Sequence, residues 1–241
     1  MIALQSDKMK KIEIKKVQES EAEELQKFKN LHFHNNNPIE LAHPGNGFTV
    51  SNPELIKSFI KNGFSLKAVE VETSTLVGFV IGIPADPSLN VIEEMIATAH
   101  SQDRADMLEF VAYAEAKANI FVKFDVVKFD VKFDCLVIQN LCVHKNYRGH
   151  KIATRLLEAC IAEVKASNKN FNLISIDCSN LYTAKIVEKL GMSRASSVSY
   201  DEYNDHIGKN LFTPIEQHNE ISTYIMKLHD NHHNSNNQTQ N

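Results

Sequence analysis

Hydrophobic and polar residues follow two different spacings along the chain, and each spacing predicts one type of element. Alternation with a period of two, or a short apolar run, predicts strands at residues 11–17, 64–71, 76–83, 135–143, 173–176, 196–203 and 221–228. Helical spacing or a run of strong helix formers predicts helices at residues 20–33, 53–61, 152–166 and 180–190, and one or two more within 88–118. Residues 35–52, rich in Asn, Pro and Gly, are predicted to form a loop. The order of these elements predicts an α/β protein with one mixed sheet, in a single domain over residues 1–228.

Three segments add detail to this outline. Residues 135–143 are almost continuously apolar, which is typical of a central strand that is covered on both faces. Residues 122–134 contain the motif Val-Lys-Phe-Asp three times, a repeat too short for a solenoid, and an alternating loop or strand is favoured over an interaction surface. Residues 229–241 contain five Asn and no apolar residue, so we expect a disordered, Asn-rich tail.

The charge balance excludes several classes of protein. The chain has 26 Lys and Arg against 30 Asp and Glu, a formal net charge of -4, which argues against a protein that binds nucleic acid or anionic membranes. No apolar run approaches the roughly 20 residues of a membrane span, and the chain does not start like a signal peptide. The 4 cysteines lack metal-binding or Cys-x-x-Cys spacing, so we expect buried free thiols, no metal site and a cytoplasmic protein.

The most informative segment joins the predicted strand 135–143 to the predicted helix 152–166. It contains the basic residues His144, Lys145, Arg148, His150 and Lys151. The free N–H groups and the dipole at a helix start favour anions, and Gly149 allows a phosphate to approach the backbone closely. These features fit a phosphate-bearing ligand, and they fit a solvated basic turn equally well.

Three blocks, in the same order along the chain, resemble the GCN5-related N-acetyltransferase (GNAT) superfamily. Tyr147-Arg148-Gly149-His150-Lys151-Ile152-Ala153 resembles its acetyl-CoA loop, Ile138-Gln139-Asn140-Leu141-Cys142-Val143 resembles its central strand, and residues 184–192 resemble its helix with the Glu-Lys-Leu-Gly ending. Within the superfamily the chain is most similar to the invertebrate arylalkylamine N-acetyltransferases of the dopamine type, through residues 33–39, 177–185 and 199–203. The resemblance implies the GNAT fold, with a mixed, mainly antiparallel central sheet flanked by helices.

The resemblance also implies where acetyl-CoA binds. The cofactor would lie between the splayed strands 135–143 and 173–176, with its pantetheine arm paired to the backbone of one strand and its pyrophosphate at the basic loop. The implied cofactor-binding residues are Leu141, Cys142, Val143, Arg148, Gly149, His150, Lys151, Ile152 and Ala153. Lys151 stands where the family has a glycine.

The activity implied by the resemblance is transfer of an acetyl group from acetyl-CoA to a small primary amine, such as the arylalkylamines dopamine, serotonin and tyramine. Ser179 and Thr183 match two hydroxyl positions of the dopamine-type branch that would protonate the leaving thiolate, and Tyr182 is an alternative donor. A Ser that precedes a helix is more commonly an N-cap, so Ser179 also has a purely structural interpretation.

One position departs from the dopamine-type pattern at the implied base. The Glu that precedes Pro in that branch is Asn37 here, and an amide cannot accept the proton. Glu40 is the candidate replacement, with His34 and His43 as nearby alternatives. Two other functions therefore stay open: a degenerate acyl-CoA-binding protein without activity, and an N-acetyltransferase for proteins or peptides. The expected partner is a small-molecule amine, with neither nucleic acid nor membrane.

Overall fold

The computed structural model describes residues 11–45, 52–61, 63–85, 91–124, 135–169 and 171–228. The strands are β1 (Ile12–Lys16), β2 (Leu66–Glu70), β3 (Thr75–Pro84), β4 (Cys135–Val143), β5 (Leu173–Cys178), β6 (Ser193–Ser199) and β7 (Glu220–Lys227). The helices are α1 (Ala22–His32), α2 (Pro38–Ala42), α3 (Pro53–Ile60), α4 (Val91–Ala97), α5 (Gln102–Ala118), α6 (Ile120–Lys123), α7 (Ile152–Ala166), α8 (Leu181–Lys189) and α9 (Tyr200–Ile207).

The strands form one sheet in the order β1-β2-β3-β4-β5-β7-β6. Every neighbouring pair is antiparallel except β4 and β5, which are parallel. Helices α7 and α8 pack on one face of the sheet through residues such as Val80 and Leu136. Helices α1 and α3 pack on the opposite face through Phe79 and Ile81. The predicted fold class, a mixed and mainly antiparallel sheet flanked by helices, is confirmed.

Most of the predicted elements lie within a few residues of their predicted bounds. The central strand and the helix after the basic loop coincide with β4 and α7. The predicted strands at residues 64–71 and 76–83 are β2 and β3, which pair as an antiparallel hairpin. Alternation and helical spacing are most informative here because each of these elements buries a continuous apolar face.

The predicted strand at residues 196–203 is wrong in its second half. β6 ends at Ser199, and α9 follows immediately. The Glu202 N–H donates to the Ser199 Oγ at 3.0 Å, which is an N-cap, and the Ser-x-x-Glu spacing was the available sequence signal. Tyr200 and Tyr203, three residues apart, are both buried, as on one face of a helix.

The predicted loop at residues 35–52 contains α2, so that prediction is also wrong in part. The Ile39 N–H donates to the Asn37 Oδ1 at 3.3 Å, and Pro38 occupies the first helical position, where the missing N–H has no cost. Of the predicted Val-Lys-Phe-Asp repeat, the first residues end α6, and residues 125–134 lie outside the described residues. The predicted tail at 229–241 lies outside them as well.

The cysteine prediction is confirmed. All of the cysteines, namely Cys135, Cys142, Cys160 and Cys178, are buried and free. Burial raises the pKa of Cys142 and of Cys160 to about 12, so these thiols stay protonated near neutral pH. Among the helices that the structure describes, none is long and apolar enough to cross a membrane.

Candidate active site

A cleft opens where β4 and β5 separate. The two strands pair from Cys135 with Leu173 to Ile138 with Ile176. Beyond that point β4 continues beside β3, and β5 continues beside β7. The register between β3 and β4 shifts at Gln139, which bulges out of the ladder. The resulting cavity has a volume of about 610 Å³.

After Ile138, β4 no longer pairs with β5, so one edge of its backbone is open toward this cleft. The His144 N–H donates to the Val77 carbonyl of β3 at 2.9 Å, so the adjacent Val143 backbone points to the other side. The Arg148 Nε–H donates to the Val143 carbonyl at 3.3 Å. By the alternation of a strand, Leu141 shares this open edge. An extended ligand arm can therefore pair with Leu141 and Val143 as an added strand would.

The N-terminus of α7 closes one end of the cleft. The first helical bond runs from the Arg155 N–H to the Lys151 carbonyl at 3.0 Å, so the N–H groups of Ile152, Ala153 and Thr154 have no acceptor within the helix. Gly149 has a φ of 82°, a left-handed conformation that favours glycine. Free N–H groups, the helix dipole and nearby basic side chains together make a site for a phosphate group.

Lys151, at the N-cap of α7, also adopts a left-handed backbone, with a φ of 58°. A residue with a Cβ is strained in that conformation, and a glycine would not be. The backbone at Lys151 therefore has a shape that a glycine would favour, and the lysine side chain adds a cation at the start of α7.

The cavity wall contains most of the predicted cofactor-binding residues. These are Leu141, Cys142, Val143, Arg148, Gly149, Lys151, Ile152 and Ala153. His150 is exposed and lies outside the wall. Cys142 contributes to the wall, while its side chain is buried in the apolar cluster with Phe28 and Phe79.

A second, smaller cavity of about 140 Å³ lies beside the first. The two cavities share wall residues at the point where the strands separate: Phe33, Asn37, Ile138, Gln139, Asp177 and Ser179. Helices α1, α3, α4 and α5 contribute most of the other residues of the smaller wall, including Phe59, Met95 and Met107. We call the larger space the cofactor cavity and the smaller one the acceptor cavity.

A chain of hydrogen bonds crosses the junction of the two cavities. The Ser179 Oγ–H donates to the Asn37 Oδ1 at 3.1 Å, and the Asn37 Nδ2–H donates to the Glu40 Oε1 at 3.4 Å. The same Glu40 oxygen lies 2.7 Å from the His34 Nδ1. Asn37 thus connects Ser179 with Glu40, the candidate base.

The His34–Glu40 pair is buried at the acceptor cavity. Both residues belong to its wall, and both are almost fully inaccessible to solvent. Burial lowers the pKa of His34 below its ordinary value, although the hydrogen bond to Glu40 and the charge of Glu40 act in the opposite direction. A neutral His34 then donates its Nδ1 proton to Glu40. The Glu40 Oε2 and the His34 Nε2 have no hydrogen-bond partner among the described residues.

The predicted hydroxyl residues occupy different parts of the site. Ser179 belongs to both walls, and Asn180, not Ser179, is the N-cap of α8, because the Tyr182 N–H donates to the Asn180 Oδ1 at 2.8 Å. Thr183 and Tyr182 contribute to the cofactor cavity alone. Tyr182 is exposed, and its hydroxyl accepts a hydrogen bond from Gln217 at 3.3 Å. The alternative base His43 is paired instead with Asp106 at 3.2 Å and lies outside both walls.

Four charged residues of the acceptor cavity were not predicted from the sequence: Lys29, Arg104, Glu115 and Asp177. No motif includes Lys29, Arg104 or Glu115, and Asp177 lies in the resembling segment 177–185 without a predicted role. The four residues come from α1, α5 and β5 and meet only in the folded chain. Glu115 is exposed at one side of this wall, and partial desolvation there, together with the nearby Asp177, raises the pKa of its carboxyl above the ordinary value. Burial also raises the pKa of Asp177, against the hydrogen bond that Thr223 donates to it at 2.6 Å.

Comparison with known proteins agrees with this geometry. Residues 108–191 match the family model described as an acetyltransferase (GNAT) domain. The chain is similar to a mosquito arylalkylamine N-acetyltransferase-like protein (TM-score 0.78, 24% identity, 90% of this chain and 100% of that chain). It is also similar to a polyamine N-acetyltransferase from Drosophila melanogaster (TM-score 0.76, 21% identity, 90% and 100%). The YncA protein of Salmonella typhimurium, solved with its cofactor acetyl-CoA, is a more distant match (TM-score 0.53, 10% identity, 91% and 95%). These likenesses establish the fold.

Proposed function

Because residues 108–191 match the acetyltransferase (GNAT) domain, we propose that the chain is an acetyl-CoA-dependent N-acetyltransferase for small primary amines. The observation that carries this proposal is the meeting of two cavities at Asn37 and Ser179. One cavity ends at a phosphate-binding helix terminus, and the other contains buried acid and base groups. A site that joins two reactants by direct transfer requires such an arrangement.

The residues of the cofactor cavity fit acetyl-CoA. The N-terminus of α7 and the side chains of Arg148 and Lys151 would hold its pyrophosphate, and the open edge of β4 at Leu141 and Val143 would pair with its pantetheine arm. When bound, this co-substrate supplies the acetyl group as a thioester. The fold neighbour that was solved with acetyl-CoA supports the assignment.

Two groups at the junction would move protons. Glu40, held by His34 and Asn37, accepts the proton of the incoming ammonium, directly or through one water, so that the neutral amine can attack. The Ser179 hydroxyl belongs to both cavity walls and is the best-placed donor of a proton to the departing thiolate. Thr183 lies farther along the cofactor cavity and would support Ser179.

An arylalkylamine is the finer substrate that we propose. The wall of the acceptor cavity includes Phe33, Phe59, Met95 and Met107, which suit a flat apolar ring. Several fold neighbours bear the name of arylalkylamine N-acetyltransferases, and one is named for polyamines.

The proposal is tested by incubating the purified chain with acetyl-CoA and a panel of amines, and by measuring the release of CoA. Arylalkylamines, polyamines and peptides with a free N-terminus are compared side by side. Thermal stabilisation by acetyl-CoA without turnover of any amine would indicate the degenerate binding protein. Turnover of peptides alone would indicate a peptide N-acetyltransferase. An absence of both stabilisation and turnover would refute the proposal.

Removing the hydroxyl of Ser179 or of Tyr182 should show which of the two residues donates the proton to the thiolate. We expect Ser179→Ala to lower kcat about 10- to 100-fold with little change in acetyl-CoA affinity, since a general acid at the junction acts on the chemical step. We expect Tyr182→Phe to change kcat by less than about threefold, because an exposed hydroxyl paired with Gln217 is readily replaced by water. Steady-state kinetics on the best amine of the panel measures both effects. The opposite order of the two variants would identify Tyr182 as the donor.

Lys151→Gly tests the departure from the family's loop. We expect acetyl-CoA to bind about 3- to 10-fold more weakly, which is the contribution of one exposed charge beside a phosphate. The unfolding free energy should change by less than about 1 kcal/mol, because the strain that glycine relieves is offset by its greater freedom in the unfolded chain. Isothermal titration and urea unfolding measure the two quantities. Tighter binding by the glycine variant would show that the Cβ of Lys151 obstructs the phosphate.

A further inference from the structure

One face of α5 forms a wall of the acceptor cavity from end to end. The wall residues on this helix are Arg104, Met107, Leu108, Val111 and Glu115. Their spacing of three and four residues places them on a single stripe. Arg104 and Glu115 are eleven residues apart, about 16 Å along the helix axis. The stripe is therefore cationic at one end, apolar in the middle and acidic at the other end.

The acidic end lies near the junction with the cofactor cavity. Glu115 interacts electrostatically with Asp177, and Asp177 belongs to the walls of both cavities. Both carboxyl groups line the acceptor cavity, and a cation placed between two like charges offsets their mutual repulsion. The ammonium group of an acceptor therefore fits this end, close to Ser179.

The cationic end combines Arg104 with Lys29 of α1. Both residues are half-buried in the cavity wall. In the part of the chain that the structure describes, neither cation has a carboxylate oxygen within 4.0 Å. The Arg104 guanidinium donates to the Met107 sulfur at 3.7 Å. Burial lowers the pKa of Lys29 to about 8, Arg104 lowers it further, and Glu40 opposes both effects. At neutral pH both side chains remain charged.

Glu40 does not balance these two cations. The Glu40 carboxylate interacts electrostatically with both Lys29 and Arg104. It supplies one negative charge, whereas the two side chains together carry two positive charges. Its Oε1 is already held by His34 and Asn37. A desolvated excess of positive charge is costly unless a ligand neutralises it.

We propose that Lys29 and Arg104 form a subsite for a carboxylate at the end of the acceptor that is remote from its amine. This inference rests on the proposed function and narrows its substrate class to amines that carry an anionic group across an apolar spacer. The carboxylate completes the charge balance at one end of α5 while the ammonium faces Glu115 and Asp177 at the other. A substrate with a second cation, such as a diamine, places like charges at Lys29 and Arg104 and is excluded.

Three acceptors that share one skeleton test the subsite: phenethylamine, its para-hydroxy form tyramine, and its para-carboxylate form. We expect the para-carboxylate amine to have a kcat/KM at least about tenfold above that of phenethylamine, since a charge-assisted hydrogen bond gives that much discrimination. Tyramine should lie between them. An equal or higher kcat/KM for tyramine or phenethylamine would overturn the subsite and leave the proposed function intact. CoA release from none of the amines, including the wider panel, would count against the proposed function itself.

The variants Lys29→Met and Arg104→Met test whether these two side chains cause the preference for the para-carboxylate amine. Each variant should lower kcat/KM for the para-carboxylate amine at least about tenfold more than it lowers kcat/KM for phenethylamine. Lys27→Met is the matched control, since Lys27 lies on the same helix, is exposed and is outside the cavity wall. Acetyl-CoA affinity reports whether each variant is folded. An equal loss for all three amines would show that the cations support the structure and do not bind a carboxylate.

A binding measurement that needs no turnover completes the test. Para-ethylbenzoate has the ring and the carboxylate without the amine, and para-ethylphenol is its neutral counterpart. We expect para-ethylbenzoate to inhibit the wild-type chain competitively against the amine, and to lose at least about tenfold in affinity with Arg104→Met. Equal inhibition by both compounds would contradict the subsite.

Discussion

Replacing Glu40 by Gln is expected to lower kcat for amine acetylation by about 100- to 10,000-fold, the range that a general base contributes. The substitution is nearly isosteric, and the Gln oxygen can still accept the His34 Nδ1 proton, so the buried pair should stay in place. Acetyl-CoA affinity should not change, because Glu40 does not belong to the wall of the cofactor cavity. Steady-state kinetics and titration with acetyl-CoA measure the two quantities separately.

A matched control and a rescue make this result specific. Glu54→Gln changes an exposed carboxylate on α3 and should keep wild-type kinetics. Asn37→Glu combined with Glu40→Gln places a carboxylate at residue 37, next to Ser179. We expect this double variant to recover at least about tenfold in kcat over Glu40→Gln. A Glu40→Gln variant with more than about a third of wild-type kcat would show that Glu40 is not the base.

The cofactor half of the site could be predicted from the sequence because it is local. β4, the basic loop and α7 are consecutive along the chain, and their bounds follow from apolar spacing. The turn at Gly149 and the left-handed backbone at Lys151 belong to the same short motif. Elements that are adjacent in sequence are placed by their own turn chemistry, so a motif describes them fully.

The acceptor half could not be predicted because it is assembled from distant parts of the chain. Lys29 and Arg104 come from two different helices, and neither belongs to a recognisable motif. The sequence suggested Glu40 by its nearness to Asn37, and the structure adds the hydrogen bond between the two. Apolar spacing also predicted a strand where the structure has α9, because the N-cap at Ser199, which starts the helix, does not appear in the apolar pattern. Residues that meet only through the packing of distant helices can be assigned to one site only from the folded structure.

Ala153→Asp is expected to remove acetyl-CoA binding without harming the fold. Ala153 is the second residue of α7 and belongs to the wall of the cofactor cavity. A carboxylate in the first turn of a helix interacts favourably with the helix dipole, by about 0.3–1 kcal/mol, so the unfolding free energy should stay equal or rise. The same carboxylate lies where we place the pyrophosphate. If the Asp carboxylate and a phosphate are about 5 Å apart and the effective dielectric constant is about 20, the repulsion between them is about 3 kcal/mol per phosphate charge. This repulsion predicts that acetyl-CoA binds about 100-fold more weakly, or weaker still.

The opposite signs of these two effects are what make Ala153→Asp informative. A substitution that merely damaged the loop would lower both stability and affinity, whereas a charge placed in an anion site lowers affinity alone. Ala153→Ser, of similar size and neutral, should bind acetyl-CoA within about threefold of wild type, because a hydroxyl at this position neither repels a phosphate nor removes an N–H donor. Since salt screens the repulsion, the Asp variant should regain part of its affinity relative to the Ser variant as the ionic strength rises. Wild-type affinity in Ala153→Asp at low salt would place the pyrophosphate elsewhere and remove the basis for assigning the α7 terminus to the cofactor.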